Sequence, residues 1–141
     1  MKTSIIYNSH SGTTKAYAKE IGKHLSSRGA ECKVASIEDY DREFLLSSDL
    51  VLLGCWTSGL MIVAQHPDKA WKEFAAGLPE IKGKKIALFT TYKIATGSMF
   101  KKMRKALNVN ADSSIITLKA RSSDLTNNNR SALESLMNTF S

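Results

Sequence analysis

Short apolar runs alternate along the chain with stripes of apolar residues at three- and four-residue spacing. The runs have the length of β-strands, and those near the middle of the chain are continuous, which is typical of strands covered on both faces. The second run alternates only at Cys32 and Val34, so we expect it at an edge of the sheet. The predicted strands cover residues 3–7, 31–36, 50–54, 86–89 and 115–118.

The stripes predict helices that separate the strands. The first helix covers residues 13–27 and ends before Gly29. Pro67 and Asp68 open the second helix, and residues 122–129 form either a loop or a frayed start of the last one. The apolar stripes of the helices are Tyr17, Ala18, Ile21 and Leu25; Trp71, Phe74, Ala75 and Leu78; Phe100, Met103 and Leu107; and Leu133, Leu136, Met137 and Phe140.

The alternation of strands and helices predicts a parallel sheet with helices on both faces. In such a sheet a ligand binds beyond the carboxyl ends of the strands, at the point where the strand order reverses. We therefore expect the loops after the first, third and fourth strands to converge on one site. These loops cover residues 9–14, 55–66 and 90–97.

The loop after the first strand has the composition of an anion site. It reads Ser9-His10-Ser11-Gly12-Thr13-Thr14 and leads directly into a helix, whose first N–H groups lack partners and whose dipole is positive at that end. The hydroxyls add donors, and Gly12 lets the backbone turn close to a ligand. An ordinary strand-to-helix turn with an N-cap is the alternative. The loop is neither a Walker loop nor the dinucleotide fingerprint, since it holds one glycine and no Gly-Lys-Ser/Thr.

An aromatic residue stands in each of the other two loops, Trp56 after the third strand and Tyr92 after the fourth. A loop tryptophan is unusual unless it covers something flat and apolar. Packing under its own loop is the alternative for Trp56, and the same alternative applies to Tyr92. A phosphate cradle between two aromatic loops suits a ligand with a phosphate at one end and a planar ring at the other. FMN has this shape, whereas a domain of this size leaves little room for the second nucleotide of FAD.

These residues together resemble the flavodoxin family, and the resemblance covers nearly the whole chain. It is carried by Ser9-x-Ser11-Gly12-x-Thr14, by the apolar run over residues 49–55, by the acidic link over residues 37–40, and by the spacing of the remaining strands. The resemblance implies a three-layer α/β sandwich, flavodoxin-like, with a five-stranded parallel sheet in the order 2-1-3-4-5. It also implies one domain over residues 1–141, with the uninterrupted last strand of a short-chain member.

FMN is the cofactor that the resemblance implies. The first loop would hold the phosphate, the residues after the third strand would lie along one side of the ring and its polar edge, and those after the fourth strand would form its other side. His10 has no assigned role in the loop, and Cys55 is either a redox-active thiol or a small buried one. The implied cofactor-binding residues are Ser9, His10, Ser11, Gly12, Thr13 and Thr14; Cys55, Trp56, Thr57, Ser58 and Gly59; and Thr91, Tyr92, Lys93 and Gly97.

The charge of the chain departs from the family pattern, in which acidic residues commonly surround the ring. The chain has 141 residues and a formal net charge of +7. This bias favours an anionic partner, and we expect a redox protein with an acidic docking surface or a small anionic or quinone substrate. We expect no nucleic acid, because no recognition motif is present. Residues 81–111 contain no Asp or Glu but hold Lys82, Lys84, Lys85, Lys93, Lys101, Lys102, Arg104 and Lys105.

Three functions remain open from the sequence. The first is an electron carrier, which needs no general acid or base. The second is a small FMN-dependent oxidoreductase acting on a quinone or a porphyrin precursor, similar to a protoporphyrinogen oxidase. The third is an interaction module with the fold and no flavin. Two cysteines without metal-like spacing, no apolar run long enough to span a bilayer, and no secretion signal favour a cytoplasmic protein.

Overall fold

Strands and helices alternate throughout the computed structural model, which describes residues 1–57, 66–78, 81, 83–93, 95–108 and 115–140. Within these residues there are five strands and five helices, each strand being followed by a helix. In chain order they are β1 (Lys2–Asn8), α1 (Thr13–Ser27), β2 (Glu31–Ser36), α2 (Arg42–Ser47), β3 (Leu50–Trp56), α3 (Lys69–Ala76), β4 (Lys85–Thr91), α4 (Met99–Leu107), β5 (Ile116–Ala120) and α5 (Asn127–Asn138).

The strands form one parallel sheet in the order β2-β1-β3-β4-β5. This confirms the predicted fold class, and β2 lies at an edge as its thin apolar pattern indicates. The strand order reverses between β1 and β3, so the chain leaves the sheet in opposite directions at that point. The carboxyl ends of all five strands share one edge, which we call the site edge.

Alternate residues of the strands pack into two apolar layers, one on each face of the sheet. On one face, Ile5 and Phe89 pack with α1 and α5. On the other face, Leu53 and Leu88 pack with α2, α3 and α4. Trp71 of α3 is fully buried in the second layer, as its helical spacing predicts. The helices therefore cover both faces of the sheet, and the apolar runs of the central strands are explained by this double burial.

Gly54 makes room for the ring of Phe89 at the centre of the sheet. The two residues are register partners on β3 and β4. A Cβ built on Gly54 would lie 2.0–2.3 Å from three atoms of the Phe89 ring. Phe89 is fully buried, and its ring packs against Tyr17 of α1 with centroids 6.0 Å apart. The missing side chain at Gly54 thus lets α1 pack close to the sheet through this aromatic pair.

Two helical features differ from the sequence pattern. α2 was not predicted, because it has only six residues and its apolar residues are consecutive. Its beginning is marked instead by Asp41, whose carboxylate accepts the Phe44 N–H at 3.1 Å. α5 begins at Asn127, within residues 122–129, for which the sequence predicts either a loop or a frayed helix start. Thr126 caps this helix by accepting the Asn129 N–H at 3.1 Å.

No helix within the described parts of the chain has both the length and the apolar character that crossing a membrane requires.

Candidate functional site

The described parts of the loops after β1, β3 and β4 come together at the site edge, as predicted. The phosphate loop, by which we mean residues 9–14, contacts the end of β3 through His10 and Trp56 and the end of β4 through Thr14 and Thr91. Thr57 links the ends of β3 and β4. Ser58 and Gly59 of the predicted set lie outside the described residues.

The phosphate loop presents the N-terminus of α1 at this edge. Gly12 is the N-cap residue and has φ +96°, a left-handed conformation that glycine adopts without strain. A Cβ added to Gly12 would meet nothing within 4 Å, so the space beside it is open. The first turn of α1 contains no acidic residue to offset the helix dipole. These features fit an anion such as a phosphate, which would take up the space that a side chain at Gly12 would fill.

The hydroxyl of Ser9 stabilises the loop by accepting two backbone hydrogen bonds. Its Oγ accepts the Gly12 N–H at 3.1 Å and the Lys15 N–H at 3.3 Å. Ser11 and Thr13 are partly or fully exposed, with their hydroxyl oxygens 3.4 Å apart. The N–H groups of Thr13 and Thr14 belong to the first helical turn and have no intrahelical acceptor. The loop thus combines exposed hydroxyls with N–H groups that an anion can use.

Four threonines tie the three loops together, and we call them the threonine network. The Thr14 and Thr91 hydroxyl oxygens are 2.6 Å apart, and those of Thr57 and Thr90 are 2.8 Å apart. Thr90 donates to the Cys55 carbonyl at 2.6 Å, and the Thr57 N–H donates to the Thr91 carbonyl at 3.0 Å. Thr14, Thr90 and Thr91 are buried. The Thr14 hydroxyl is therefore hydrogen-bonded to Thr91 of β4. The backbone N–H of Thr14 stays available to a phosphate.

Replacing Thr91 by valine is expected to lower the free energy of unfolding by about 1.5 kcal/mol, because the buried Thr14 hydroxyl loses its partner. The double variant Thr14→Val/Thr91→Val should cost less than the sum of the two single variants, since it removes both members of the pair. Urea unfolding of the four proteins measures this. Strictly additive losses would show that the two hydroxyls do not interact.

Each of the two predicted ring-flanking aromatics is paired with a basic side chain from another strand end. Trp56 stacks on His10, with ring centroids 4.5 Å apart and an interplanar angle of 25°. The Arg121 guanidinium carbon lies 5.5 Å from the centroid of the Tyr92 ring. Trp56 and Tyr92 are both half-buried. Trp56 also packs partly against the α3–α4 layer. The loop under which the alternative interpretation places it lies mostly outside the described residues.

Lys93 and Gly97 occupy the loop between β4 and α4. Lys93 is exposed. Gly97 has φ +51°, and the carbonyl of Thr96 accepts the Met99 N–H at 2.9 Å as α4 begins. This loop therefore turns sharply at the site edge before the basic helix.

Cys55 is buried beneath the site beside a polar pair that the sequence did not reveal. Asn8 donates through Nδ2 to the Asp68 carboxylate at 2.9 Å and lies 3.9 Å from the Cys55 sulfur. This contact joins the end of β1 to the start of α3. Burial raises the pKa of the Cys55 thiol to about 12. Because the thiolate is the reactive form, the structure favours a buried structural thiol over a redox-active one.

Replacing Cys55 by alanine is expected to flatten the alkaline pH dependence of stability. The folded state keeps a thiol proton that the unfolded chain releases near pH 9, so the contribution is complete below pH 9 and is lost as the pH rises toward 12. The free energy of unfolding should fall by up to about 1.4 kcal/mol per pH unit from this group alone.

Urea unfolding between pH 8 and 10.5 measures that slope. Cys32→Ala serves as the comparison, because this thiol is only half-buried and should change the slope less. An unchanged slope in Cys55→Ala would contradict the assignment.

Within the described residues, no group of three or more His, Cys, Asp or Glu side chains is placed to hold a metal ion. The polar groups at the site edge are hydroxyls, backbone N–H groups, basic side chains, and the Asn8 amide with its Asp68 carboxylate partner. They suit an anionic organic ligand.

Comparisons with known proteins agree with this geometry. A family model described as Flavodoxin matches residues 5–111. A flavodoxin from Megasphaera elsdenii is 34% identical over 94 residues, which is 66% of this chain and 66% of that protein. A flavodoxin from Clostridium beijerinckii is 27% identical over 104 residues, or 74% of each chain. The solution structure of two-electron reduced Megasphaera elsdenii flavodoxin aligns with a TM-score of 0.71 at 26% identity, over 93% of this chain and 94% of that one.

The match to the family model extends over well more than half of the chain, from β1 through α4. It includes the phosphate loop and both aromatic residues, and the fold has the strand order that the resemblance to this family implies. The chain therefore belongs to the flavodoxin family of FMN-binding electron-transfer proteins.

Proposed function

We propose that this chain is an electron carrier that holds FMN at the site edge, between the phosphate loop and the aromatic residues Trp56 and Tyr92. The proposal rests on one observation: the threonine network connects the loop that contains the open turn at Gly12 to the ends of β3 and β4. FMN supplies the one- and two-electron chemistry when it is bound. The protein supplies the binding groups and their orientation.

The phosphate loop would bind the phosphate through backbone and hydroxyl groups. The N–H groups of the first turn of α1 offer donors and the positive end of a helix dipole, and Ser11 and Thr13 add hydroxyls. Ser9 and Thr14 would hold the loop in shape through their internal hydrogen bonds. His10 would act through its stack on Trp56.

The ring would lie between the ends of β3 and β4. Trp56 and Thr57 would line one side, and Tyr92, Thr91 and Gly97 would form the other. Lys93 would place a positive charge beside the ring, and Cys55 would lie buried beneath the ring site. Ser58 and Gly59 stay proposed neighbours of the polar edge of the ring.

Titration of the flavin-free protein with FMN, followed by visible absorption, tests this proposal. The flavin spectrum should shift and saturate at one equivalent. Riboflavin, which lacks the phosphate, should bind at least tenfold more weakly, because the loop then has no anion to hold. No spectral shift with FMN would overturn the proposal. Equal affinity for FMN and riboflavin would overturn the role of the phosphate loop.

We further propose that the redox partner offers an acidic docking surface. The support is the basic face, by which we mean the exposed residues Lys93, Lys101, Lys105, Lys119 and Arg121 around β4, α4 and β5. Lys93 and Arg121 adjoin the proposed ring site, so a partner drawn to this face would approach the cofactor. Electrostatic complementarity of this kind raises association rates and makes them depend on salt.

Electron transfer to two forms of cytochrome c tests the docking proposal. Succinylated cytochrome c is acidic, whereas the native protein is basic. The reduced, FMN-loaded protein should reduce the succinylated form faster, and added salt should remove most of the difference. Faster transfer to the native form would contradict an acidic partner. Steady oxidation of NADPH with a quinone, without any reductase, would show instead that the chain is an oxidoreductase.

A further inference from the structure

We propose that Arg121 stabilises negative charge on the reduced FMN ring by holding a cation over Tyr92, and so makes the bound flavin a milder reductant. Arg121 is a positioning residue in this proposal, because it acts on the ring site through Tyr92. The inference rests on the proposed function, since it requires FMN between Trp56 and Tyr92.

The register of β4 and β5 places Tyr92 and Arg121 side by side. Thr91 is the register partner of Ala120, and the Tyr92 N–H donates to the Ala120 carbonyl at 3.1 Å. Tyr92 and Arg121 directly follow the last residues of β4 and β5. Thr90 and Lys119, two positions before them, are also paired, so the sheet brings the two side chains to neighbouring positions at its carboxyl end. The contact is therefore set by the sheet and not by a flexible loop alone.

The contact has the geometry of a cation over an aromatic face. The guanidinium carbon of Arg121 lies 5.5 Å from the Tyr92 centroid, within the range of about 6 Å in which ring and cation attract. Tyr92 is half-buried and Arg121 is exposed. The positive charge of Arg121 thus lies against one side of the Tyr92 ring, at the border of the proposed binding site for the FMN ring.

No carboxylate among the described residues forms an ion pair with Arg121. The acidic residue that follows it most closely in the chain is Asp124, which is exposed and whose N–H donates to Ser122 Oγ. Of the other carboxylates near the site edge, Asp68 accepts from Asn8 at the start of α3, and Glu38 and Asp39 follow β2. Within the described residues, the positive charge beside Tyr92 therefore has no direct anionic partner.

Reduction gives the ring a charge that this cation would favour. A bound FMN ring that had taken two electrons from a donor and one proton from water would carry one negative charge, whereas the oxidised ring is neutral. For unit charges about 10 Å apart, the attraction changes an affinity by about twofold in water and about fifteenfold at an effective dielectric constant near 20. Arg121 should raise the affinity for reduced over oxidised FMN within these limits.

Three variants separate charge from packing. Arg121→Gln removes the charge, Arg121→Lys keeps it without the planar group, and Lys23→Gln removes an exposed charge from α1 away from the phosphate loop. The dissociation constants of oxidised and dithionite-reduced FMN, together with the two-electron midpoint potential, are measured for each. Thermal unfolding shows that the variants are folded.

The preference for reduced over oxidised FMN should fall about fivefold in Arg121→Gln, with a matching drop in the midpoint potential. It should be largely restored in Arg121→Lys and unchanged in Lys23→Gln. Equal weakening of both oxidation states in Arg121→Gln would overturn the proposal and leave only a packing role for the guanidinium. An unchanged preference would overturn it as well. Failure of the unaltered protein to bind FMN would overturn the proposed function itself.

Discussion

Replacing Gly54 by alanine is expected to lower the free energy of unfolding by about 3 kcal/mol, at the upper end of the usual cost of overpacking. The new Cβ would lie 2.0 Å from Cε2 of Phe89. The ring cannot easily move away, because it is fully buried between β3 and Tyr17 of α1. Either the ring leaves its rotamer or the two strands separate, and both lose contacts in a densely packed layer. Urea unfolding measures the loss.

Two further variants identify the cause of that loss. Gly77→Ala is the matched control, because its Cβ would meet the Glu73 carbonyl oxygen at an ordinary 3.6 Å. It should change stability by less than about 1 kcal/mol. In Gly54→Ala/Phe89→Leu the smaller side chain makes room for the methyl group, so the double variant should be more stable than the sum of the single changes predicts. Additive losses would show that the damage does not arise at the Phe89 ring.

Replacing Gly12 by alanine is expected to weaken FMN binding by about thirtyfold. A residue with a Cβ is strained by roughly 1–2 kcal/mol at a left-handed φ, and each 1.4 kcal/mol is tenfold in affinity. The free loop can relax away from φ +96°, so the strain would be felt on binding. The methyl group would also enter the open space beside the first turn of α1. Absorption titration with FMN and with riboflavin measures the change, which should be much smaller for riboflavin.

Gly29 offers an unusually close control for this variant. It has φ +94° and equally open surroundings, but it follows the C-terminal end of α1, far along the helix from the phosphate loop. Gly29→Ala should therefore lower the free energy of unfolding by roughly 1–2 kcal/mol at most while leaving the FMN affinity within about twofold of the original. If both variants weakened FMN binding equally, the effect of Gly12→Ala would be a general loss of stability and not a loss of the phosphate site.

The fold was predictable because its determinants are local. Unbroken apolar runs such as residues 50–54 are typical of a strand covered on both faces, and the stripe through Tyr17, Ile21 and Leu25 is typical of a helix with one buried side. The turn over residues 9–14 was recognisable for the same reason, since glycine and hydroxyl residues stand directly between a strand and a helix. The helix that escaped prediction, α2, is too short to show a period.

The side-chain contacts that connect the loops of the site were not predictable, because they depend on the register of the paired strands. Thr14 meets Thr91 across 77 positions, and Asn8 meets Asp68 across 60. A shift of one residue in the pairing of β4 would direct Thr91 to the other face of the sheet and break its hydrogen bond with Thr14. The Arg121 contact with Tyr92 depends on the pairing of β4 with β5 in the same way. Sequence patterns show which face a residue prefers, but they do not show which residue will stand beside it.

The strand order also bears on how the chain assembles as it is synthesised. β1 pairs with both β2 and β3, so the first 56 residues can form a three-stranded sheet before β4 leaves the ribosome. Each later strand then adds beside the one before it. The phosphate loop exists in this early half, whereas Thr91 and Tyr92 arrive with β4. Until then β3 is an uncovered apolar edge able to pair with other chains, so the growing protein is most exposed to aggregation shortly before its cofactor site is complete.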